Sequence, residues 1–596
     1  MKIRIGLILL MNLVYFNLVN AKSSSQNKRP NVIIIMTDDQ GLANIGFTGH
    51  PVLKTPNIDC FAEQAVQLGN FHQELLCSPS RSALLTGMYS SKTGAWRTSV
   101  GRSSMKTEMT TIAELFKENN YRTAHFGKWH LGDNYPMRPQ DQGFEETLHH
   151  GAGGVGQIAD HWGNDYSDDI YLHGEKKEYH KGYCTDVWFR ETQKYIENDS
   201  TKPFFIYLAT NAPHAPYICP KRDESFYTKR DVPKKKARYY GMIRNFDTNL
   251  GQFIAFLRKK NLYDNTIIVL TTDDGASAIA LHPPENDKDV IYNAGLRGGK
   301  ASPYNGGHKV FCFIKPTKSE QIKEKNIDER TGVWDITPTL VDFCNLKQEH
   351  PVKFDGLSIC PLLRGKSASK FENRSLVVQL QGGAGVKWLA EVPTPYKEST
   401  IMHKRWHLVN GKELYDIQRD PSQKKDIAKK NPSVVRDMQR RYMEWYQQNT
   451  NDLNNPVRIW IGDPQCPVVY LTSQDHYTKD KNSIWHGRGA IKKDTNNGPW
   501  KIHVVRPGRY KITASRYPLY MKESISQNIQ KHKKDFDVSK LVIKVDNKVH
   551  SVHVGHNDTE SSITCNIPLK DIDILGQFIS TKNKAIPTYF LKIEKL

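Results

Sequence analysis

The sequence predicts an α/β fold: a mixed sheet sandwiched by helices, then a small C-terminal subdomain and an appended β-sandwich-like domain. Three observations carry this expectation. Residues 31–36, 203–209 and 266–271 are short, continuous apolar runs rich in β-branched or aromatic side chains, as in strands buried on both faces. Helical stretches at 110–119 and 239–258 lie between or beside them and supply covering layers. From about residue 451 the text changes to short alternating runs broken by Gly, Pro, Asn and Asp, the pattern of an antiparallel β module. The expected boundaries are 30–370 for the α/β unit, 371–450 for its C-terminal subdomain and 451–596 for the β domain.

The first residues, Met1-Lys2-Ile3-Arg4, precede an apolar run over 5–19 and then Asn20-Ala21 before a polar, Ser-rich tract. A basic start, a short apolar core and a small residue read as an export signal over 1–21. The competing reading is an N-terminal anchor, but no later stretch is long enough to cross a bilayer. The expected location is therefore periplasmic or secreted, without stable membrane insertion. Hydrophobic residues make up 38% and aromatics 10%, which suits a globular chain and excludes a disordered one. The nine cysteines are scattered without metal-binding spacing, so a zinc site is not expected, and their pairing stays open. A net charge of +21 favours a polyanionic partner. It is spread along the chain, with local clusters at Lys234-Lys235-Lys236 and Lys531-His532-Lys533-Lys534, so an acidic polysaccharide suits it better than nucleic acid.

Taken in order, the first strand ends in Asp38-Asp39. Open α/β sheets place ligands at the carboxyl ends of their strands, and two adjacent acids there call for a cation such as calcium or magnesium. Thr111 and Glu114 form a capping box before an amphipathic helix. Asn120 stands at its exit, where a left-handed residue is expected. A strand from Tyr121 then delivers Lys128 and His130, expected to point to one side. Residues 149–183 read as a long loop excursion, whose Trp162 and Tyr166 either contact a ligand or pack the loop. The strand at 203–209 leads to His214, held between prolines and a candidate acid or base. The strand at 266–271 ends in Asp273-Asp274, repeating the first acidic pair, and Lys300 follows. Asn410-Gly411 marks a β-hairpin turn.

Cys77-Ser78-Pro79-Ser80-Arg81, followed by Thr86-Gly87, has two readings. One is a small buried residue at a turn; the other is a processed nucleophile. Pro79 fits the first helical position, which would set Cys77 at the positive end of a helix with Arg81 one turn on.

This stretch resembles the signature of the type I, formylglycine-dependent sulfatases, bacterial arylsulfatases among them. Gly127-Lys128-Trp129-His130-Leu131-Gly132 resembles their second signature, and the resemblance runs over about residues 30–450. Leu75, Asp274 (usually Asn), Asn305 (usually Glu) and Lys309 (usually Arg) depart from the pattern. The resemblance implies an alkaline-phosphatase/sulfatase-like fold and sulfate-ester hydrolysis. It further implies that a maturation enzyme oxidises Cys77 to formylglycine, whose hydrate attacks sulfur and forms a covalent sulfate. Asp38, Asp39, Cys77, Asp273 and Asp274 would hold one calcium ion. Arg81 would orient the hydrate, Lys128, Lys300 and His130 would bind sulfate or move protons, and His214 would protonate the leaving group. A sulfated glycan is the expected substrate. The alternatives are a phosphatase or phosphonate hydrolase of the same fold, and a non-catalytic glycan-binding protein.

Overall fold

The computed structural model describes residues 29–199, 201–286, 290–366, 369–380, 394–478, 497–528 and 534–596. The expected signal at 1–21 and residues 531–533 of the second basic cluster lie outside them. The larger, N-terminal unit is organised on a sheet of ten strands. In chain order these are β1 (Asn31–Thr37), β2 (Val66–Leu68), β3 (Arg122–Lys128), β4 (Glu146–His150), β5 (Ser167–His173), β6 (Lys176–Tyr183), β7 (Phe204–Ala209), β8 (Thr266–Thr272), β9 (Cys312–Lys315) and β10 (Asn326–Ile327). Their spatial order is β10-β2-β9-β8-β1-β7-β3-β4-β5-β6. The central five, β8 to β4, are parallel, and β9 and β5 flank them antiparallel, so the sheet is mixed.

β1 explains why the runs are continuous. Val32, Ile34 and Met36 enter one apolar core, shared with α1 (Cys77–Thr86) and α2 (Ile112–Glu118). Ile33 and Ile35 enter the other, shared with α3 (Cys184–Asn198) and α4 (Lys234–Lys259). Both faces are dry, so period-2 alternation disappears from the sequence. The capping box of α2 forms in full, and Asn120 has φ 59°.

Two expectations need correction. α1 begins at Cys77 itself, with Leu76 as its N-cap, so Pro79 is the third helical residue. The first four amides of a helix lack an internal partner, and proline there sacrifices no bond. Residues 149–183 are not one loop: β5 and β6 form a hairpin that extends the main sheet through β4. Their charged, half-exposed composition hid them, because an edge hairpin draws its order from pairing more than from burial.

The subdomain is an antiparallel meander of Ser375–Gln379, Ser399–His403, Trp406–Val409 and Glu413–Asp416, covered by a helix over Pro432–Asn449. Asn410 and Gly411 both have positive φ, 52° and 68°, as their hairpin turn requires. Beyond it, a six-stranded sheet packs on a four-stranded one. The latter comprises β11 (Val468–Thr472), β12 (Gly508–Ser515), β13 (Ser561–Ile567) and β14 (Phe590–Lys595), in the order β11-β14-β12-β13. Trp500 and Ile502 from one sheet meet Ile512 and Ile593 from the other in a single core. The short alternating runs expected beyond residue 451, at 457–461, 468–472, 500–505, 509–514, 541–545 and 589–593, all carry strands. Those at Lys548–His553, Ser561–Ile567, Asp571–Ser580 and Ala585–Pro587 were not anticipated.

Candidate active site

Parallel strands bring their carboxyl ends to one edge, and that is where the charged groups gather. β1 delivers Asp38 and Asp39, β8 delivers Asp273 and Asp274, β3 ends in Lys128, and β7 leads to His214. Backbone bonds tie the edge together: Asp38 N–H donates to the Ala212 carbonyl at 3.0 Å, and Asp273 N–H to that of Thr37 at 3.2 Å. Gly275 allows a further close approach, since a Cβ there would lie 2.1 Å from the Gly306 carbonyl oxygen.

Cys77 sits on the first turn of α1, 2% exposed, among these groups. Its Sγ is 3.6 Å from Asp38 Oδ1, 3.8 Å from Asp274 Oδ2 and 3.3 Å from Lys300 Nζ. Arg81, one turn along, donates through Nη2 to Asp273 Oδ2 at 2.7 Å and through Nη1 to the Lys128 carbonyl and Tyr207 hydroxyl. Lys128 Nζ donates to Asp38 Oδ2 at 2.6 Å. Lys300 bonds Asp39 and lies 3.3 Å from Asp274 Oδ2.

Burial governs the electrostatics. It raises the Asp38 carboxyl, but Lys128, with His214 and Arg81, overrides it and holds the group below the usual range. Lys300 and His214 do the same for Asp39 against its burial. At Asp274 burial wins; Lys300 offsets it only partly, the neighbouring acids add to it, and the carboxyl is pushed far up. Burial also pushes the Cys77 thiol well above its ordinary value, so an unmodified Cys77 stays protonated and unreactive.

The donor set suits a hard divalent cation. One atom each from Asp38, Asp39, Cys77 and Asp273 lies within 4.8 Å of the others. Asp274 is outside that group, yet its Oδ1 is buried without a partner and its other oxygen faces Cys77. Arg81, Lys128 and Lys300 already pair with Asp273, Asp38 and Asp39, and a divalent ion would lower the cost of ionising Asp274, the acid that burial holds protonated.

A pocket of about 60 Å³ opens over Cys77, lined by Leu76, Thr98, Ser99, His130, Gly153 and others including His214 and Lys300. His130 leaves the strand, with φ 59°, and its Nε2 donates to the Thr98 carbonyl at 2.9 Å. Burial and Lys128 keep its ring neutral. His214 Nδ1 donates to the Ala215 carbonyl, and its Nε2 is 4.0 Å from Asp39 Oδ2. Every site residue expected from sequence is thus drawn to this edge.

The sulfatase family model matches residues 30–346, more than half of the chain. The chain belongs to the sulfatase family. As a sulfatase it is a sulfuric ester hydrolase. It is 26% identical over 491 residues to arylsulfatase J of Mus musculus, covering 73% of this chain and 78% of that protein. It is 26% identical over 514 residues to the ulvan-active sulfatase of Formosa agariphila, covering 80% and 90%. The crystal structure of Ps i-CgsB in complex with k-i-k-neocarrahexaose superposes with a TM-score of 0.60 at 26% identity, covering 71% of this sulfatase and 94% of that chain.

Sequence reasoning missed part of this sulfatase's pocket wall. Thr98, Ser99, Gly153 and Gln157 line it. The glycine-rich stretch 151–156 was the available signal: a Cβ on Gly153 would lie 2.2 Å from His130 Cε1. Trp162 packs against Tyr517 and Phe590 of the β module, and the Tyr166 hydroxyl donates to the His214 carbonyl. Asn305 bonds Gln423 and Pro421, a supporting position.

Proposed function

We propose that this sulfatase is exported and removes sulfate esters from a sulfated polysaccharide or oligosaccharide, using formylglycine made from Cys77 by a maturation enzyme and one bound calcium ion. The chain would divide into the catalytic unit at 30–370, its subdomain at 371–450 and the β domain at 451–596. The observation that carries the reading is the convergence of Cys77, four carboxylates and three cationic side chains beneath one small pocket. As a thiol, Cys77 is too deeply buried to ionise, which favours its working only after modification. The net charge of +21 suits a polyanionic substrate, and the similarity to an ulvan-active sulfatase points the same way. Among the described residues no helix is long and apolar enough to cross a membrane, and export rests on the sequence of residues 1–21.

In this reading Asp38, Asp39, Asp273 and Asp274 hold calcium together with residue 77. The bound ion would neutralise sulfate oxygens, and the aldehyde hydrate would supply the nucleophilic oxygen. Lys300, beside Cys77, pairs with a sulfate oxygen, and Lys128 keeps Asp38 ionised. Arg81 fixes Asp273 and the first turn of α1. His130 donates no proton to substrate from Nε2, which the Thr98 carbonyl holds; its role is to shape the pocket with Gly153. His214 delivers a proton from Nε2 to the leaving oxygen.

The test is mass spectrometry of the peptide carrying residue 77, from a host with the maturation enzyme, alongside turnover of the Cys77→Ala variant. Loss of sulfur for an aldehyde, and no turnover in the folded variant, are expected. Undiminished turnover in Cys77→Ala overturns the mechanism. Faster hydrolysis of an aryl phosphate than of the matching aryl sulfate would favour the phosphatase alternative.

A further inference from the structure

The β module and the catalytic unit enclose a second space. Between the outer face of β11, β14 and β12 and the hairpin β5–β6 lies a cleft of about 820 Å³, far larger than the pocket over Cys77. None of the residues assigned to catalysis or metal lines it. The two spaces share one wall: Gly153 and Gln157 line the pocket, and Ile158 and His161 line the cleft.

Strand alternation sets the chemistry of the module's side. Tyr510, Ile512 and Ala514 fill the sandwich core, so Lys511, Thr513 and Ser515 face outward to the cleft. On β11, Val469 and Leu471 turn inward and Tyr470 turns out, 61% exposed. The register sets Tyr470 opposite Lys592 and Lys592 opposite Thr513, so a phenol, an ammonium and a hydroxyl stand in one row across three strands. From the far side Lys177 reaches in, its Nζ 4.3 Å from the ring centroid of Tyr520.

The cleft is lined by groups of both signs: Asp133, Asp160, Glu175, Glu560 and Glu594 stand with Arg138, Lys177, Lys511 and Lys592. Arg138 is held by Asp141 and Glu175, and Lys592 by Glu594 at 2.8 Å. Lys177 and Lys511 have no carboxylate within ion-pair distance among the described residues. An open groove that sets the exposed Tyr470 ring beside hydroxyls and two ammonium groups outside any ion pair, with Asp160 acting on Lys177 only from a distance, is matched by a polar chain that carries anionic substituents and presents sugar faces for stacking. A purely apolar ligand would desolvate those ammoniums without return.

We infer that the cleft is a second, non-catalytic binding site for a sulfated oligosaccharide segment. It rests on the glycan-substrate reading above and extends it: one stretch of polymer is anchored in the cleft while another enters the pocket, which raises its local concentration there.

Affinity electrophoresis of the Cys77→Ala protein in gels carrying ulvan or carrageenan, each beside its desulfated form, tests this. Circular dichroism and the thermal midpoint report the fold of each variant. Retardation is expected with at least one sulfated polymer and not with the desulfated one. Adding Tyr470→Ala and Lys511→Ala should raise the apparent Kd about tenfold, equivalent to about 1.4 kcal/mol. No retardation, equal retardation by desulfated polymer, or a Kd unmoved by the two changes overturns the cleft site. Sulfate release is read separately with the active enzyme. Cleft-dependent binding without release would sink the substrate reading alone, and release with cleft-independent affinity would sink the cleft alone.

Discussion

Arg81 Nη2 donates to Asp273 Oδ2 at 2.7 Å, and both side chains are fully buried. This pair couples the helix that carries Cys77 to the strand that carries the second acidic pair. Removing one partner of a buried ion pair costs about 3–5 kcal/mol, because the other charge is left without compensation. Arg81→Ala should therefore lose turnover and unfold at lower temperature. Arg81→Lys keeps the charge but cannot span Asp273, Tyr207 and the Lys128 carbonyl together, and should fall between. An Arg81→Ala protein with parental midpoint and rate would contradict this.

Asp274 replaces the asparagine usual in the family, and its carboxyl is driven up by burial among like charges. Asp274→Asn should retain an oxygen ligand and substantial activity, whereas Asp274→Ala should lose most of both calcium affinity and turnover. If calcium binds as proposed, a hundredfold excess over its Kd would stabilise the fold by about 2.7 kcal/mol, so chelation should lower the thermal midpoint along with activity. Calorimetric titration that finds equal calcium affinity in parent, Asn and Ala forms would remove Asp274 from the ligand set.

Three buried histidines give the fold an acid-sensitive point. His72 Nδ1 lies 2.9 Å from His308 Nδ1, so the two share one proton, and His407 packs beside both. Burial, with the neighbouring positive groups, holds His72 and His407 far below their ordinary value and His308 at about 3. Unfolded histidine titrates near 6.5, so this stability is complete above that pH and lost below it, at about 1.4 kcal/mol per group per pH unit. Buried acids oppose it: burial raises Asp160 and Asp475 to about 8, and their contribution falls as pH rises. The informative measurement is therefore the difference between variants. His407→Gln should lose less stability than the parent between pH 7 and 5, and identical slopes would refute the assignment.

The β module reaches the pocket through Arg102. Its guanidinium lies 3.8 Å from the ring centroid of Tyr477 and donates to the Thr478 and Val100 carbonyls. Thr98 and Ser99, next along that loop, line the pocket over Cys77. Arg102→Ala should lower kcat/KM on an aryl sulfate, on the order of a hundredfold for a displacement near 1 Å, with little change in secondary structure. Unaltered kinetics would mean that the loop holds its position without the module.

Four of the five central strands, β1, β3, β7 and β8, were legible with the groups that end them, because motif and position agreed: the two acidic pairs, Lys128 and His214 each follow a buried apolar run, whereas β4 carried no such mark. The edge hairpin β5–β6 was not legible, since its Lys, Glu and Asp residues carry no apolar signature. The pocket's glycine wall was legible only as composition. Gly153 matters because of His130, a residue more than twenty positions earlier, and such contact is not written in local sequence. The support from Tyr477 to Arg102 was hidden for the same reason.

Residues 473–478 belong to the β module by chain position, yet they hold up a wall of the pocket. A protease that severs the chain near residue 450 would thus do more than detach an accessory part. Were the two parts to separate after such a cut, residues 97–102 would lose their support and Trp162 would be uncovered. Exchanging either half for a counterpart from another enzyme would require the seam between them to be rebuilt with it.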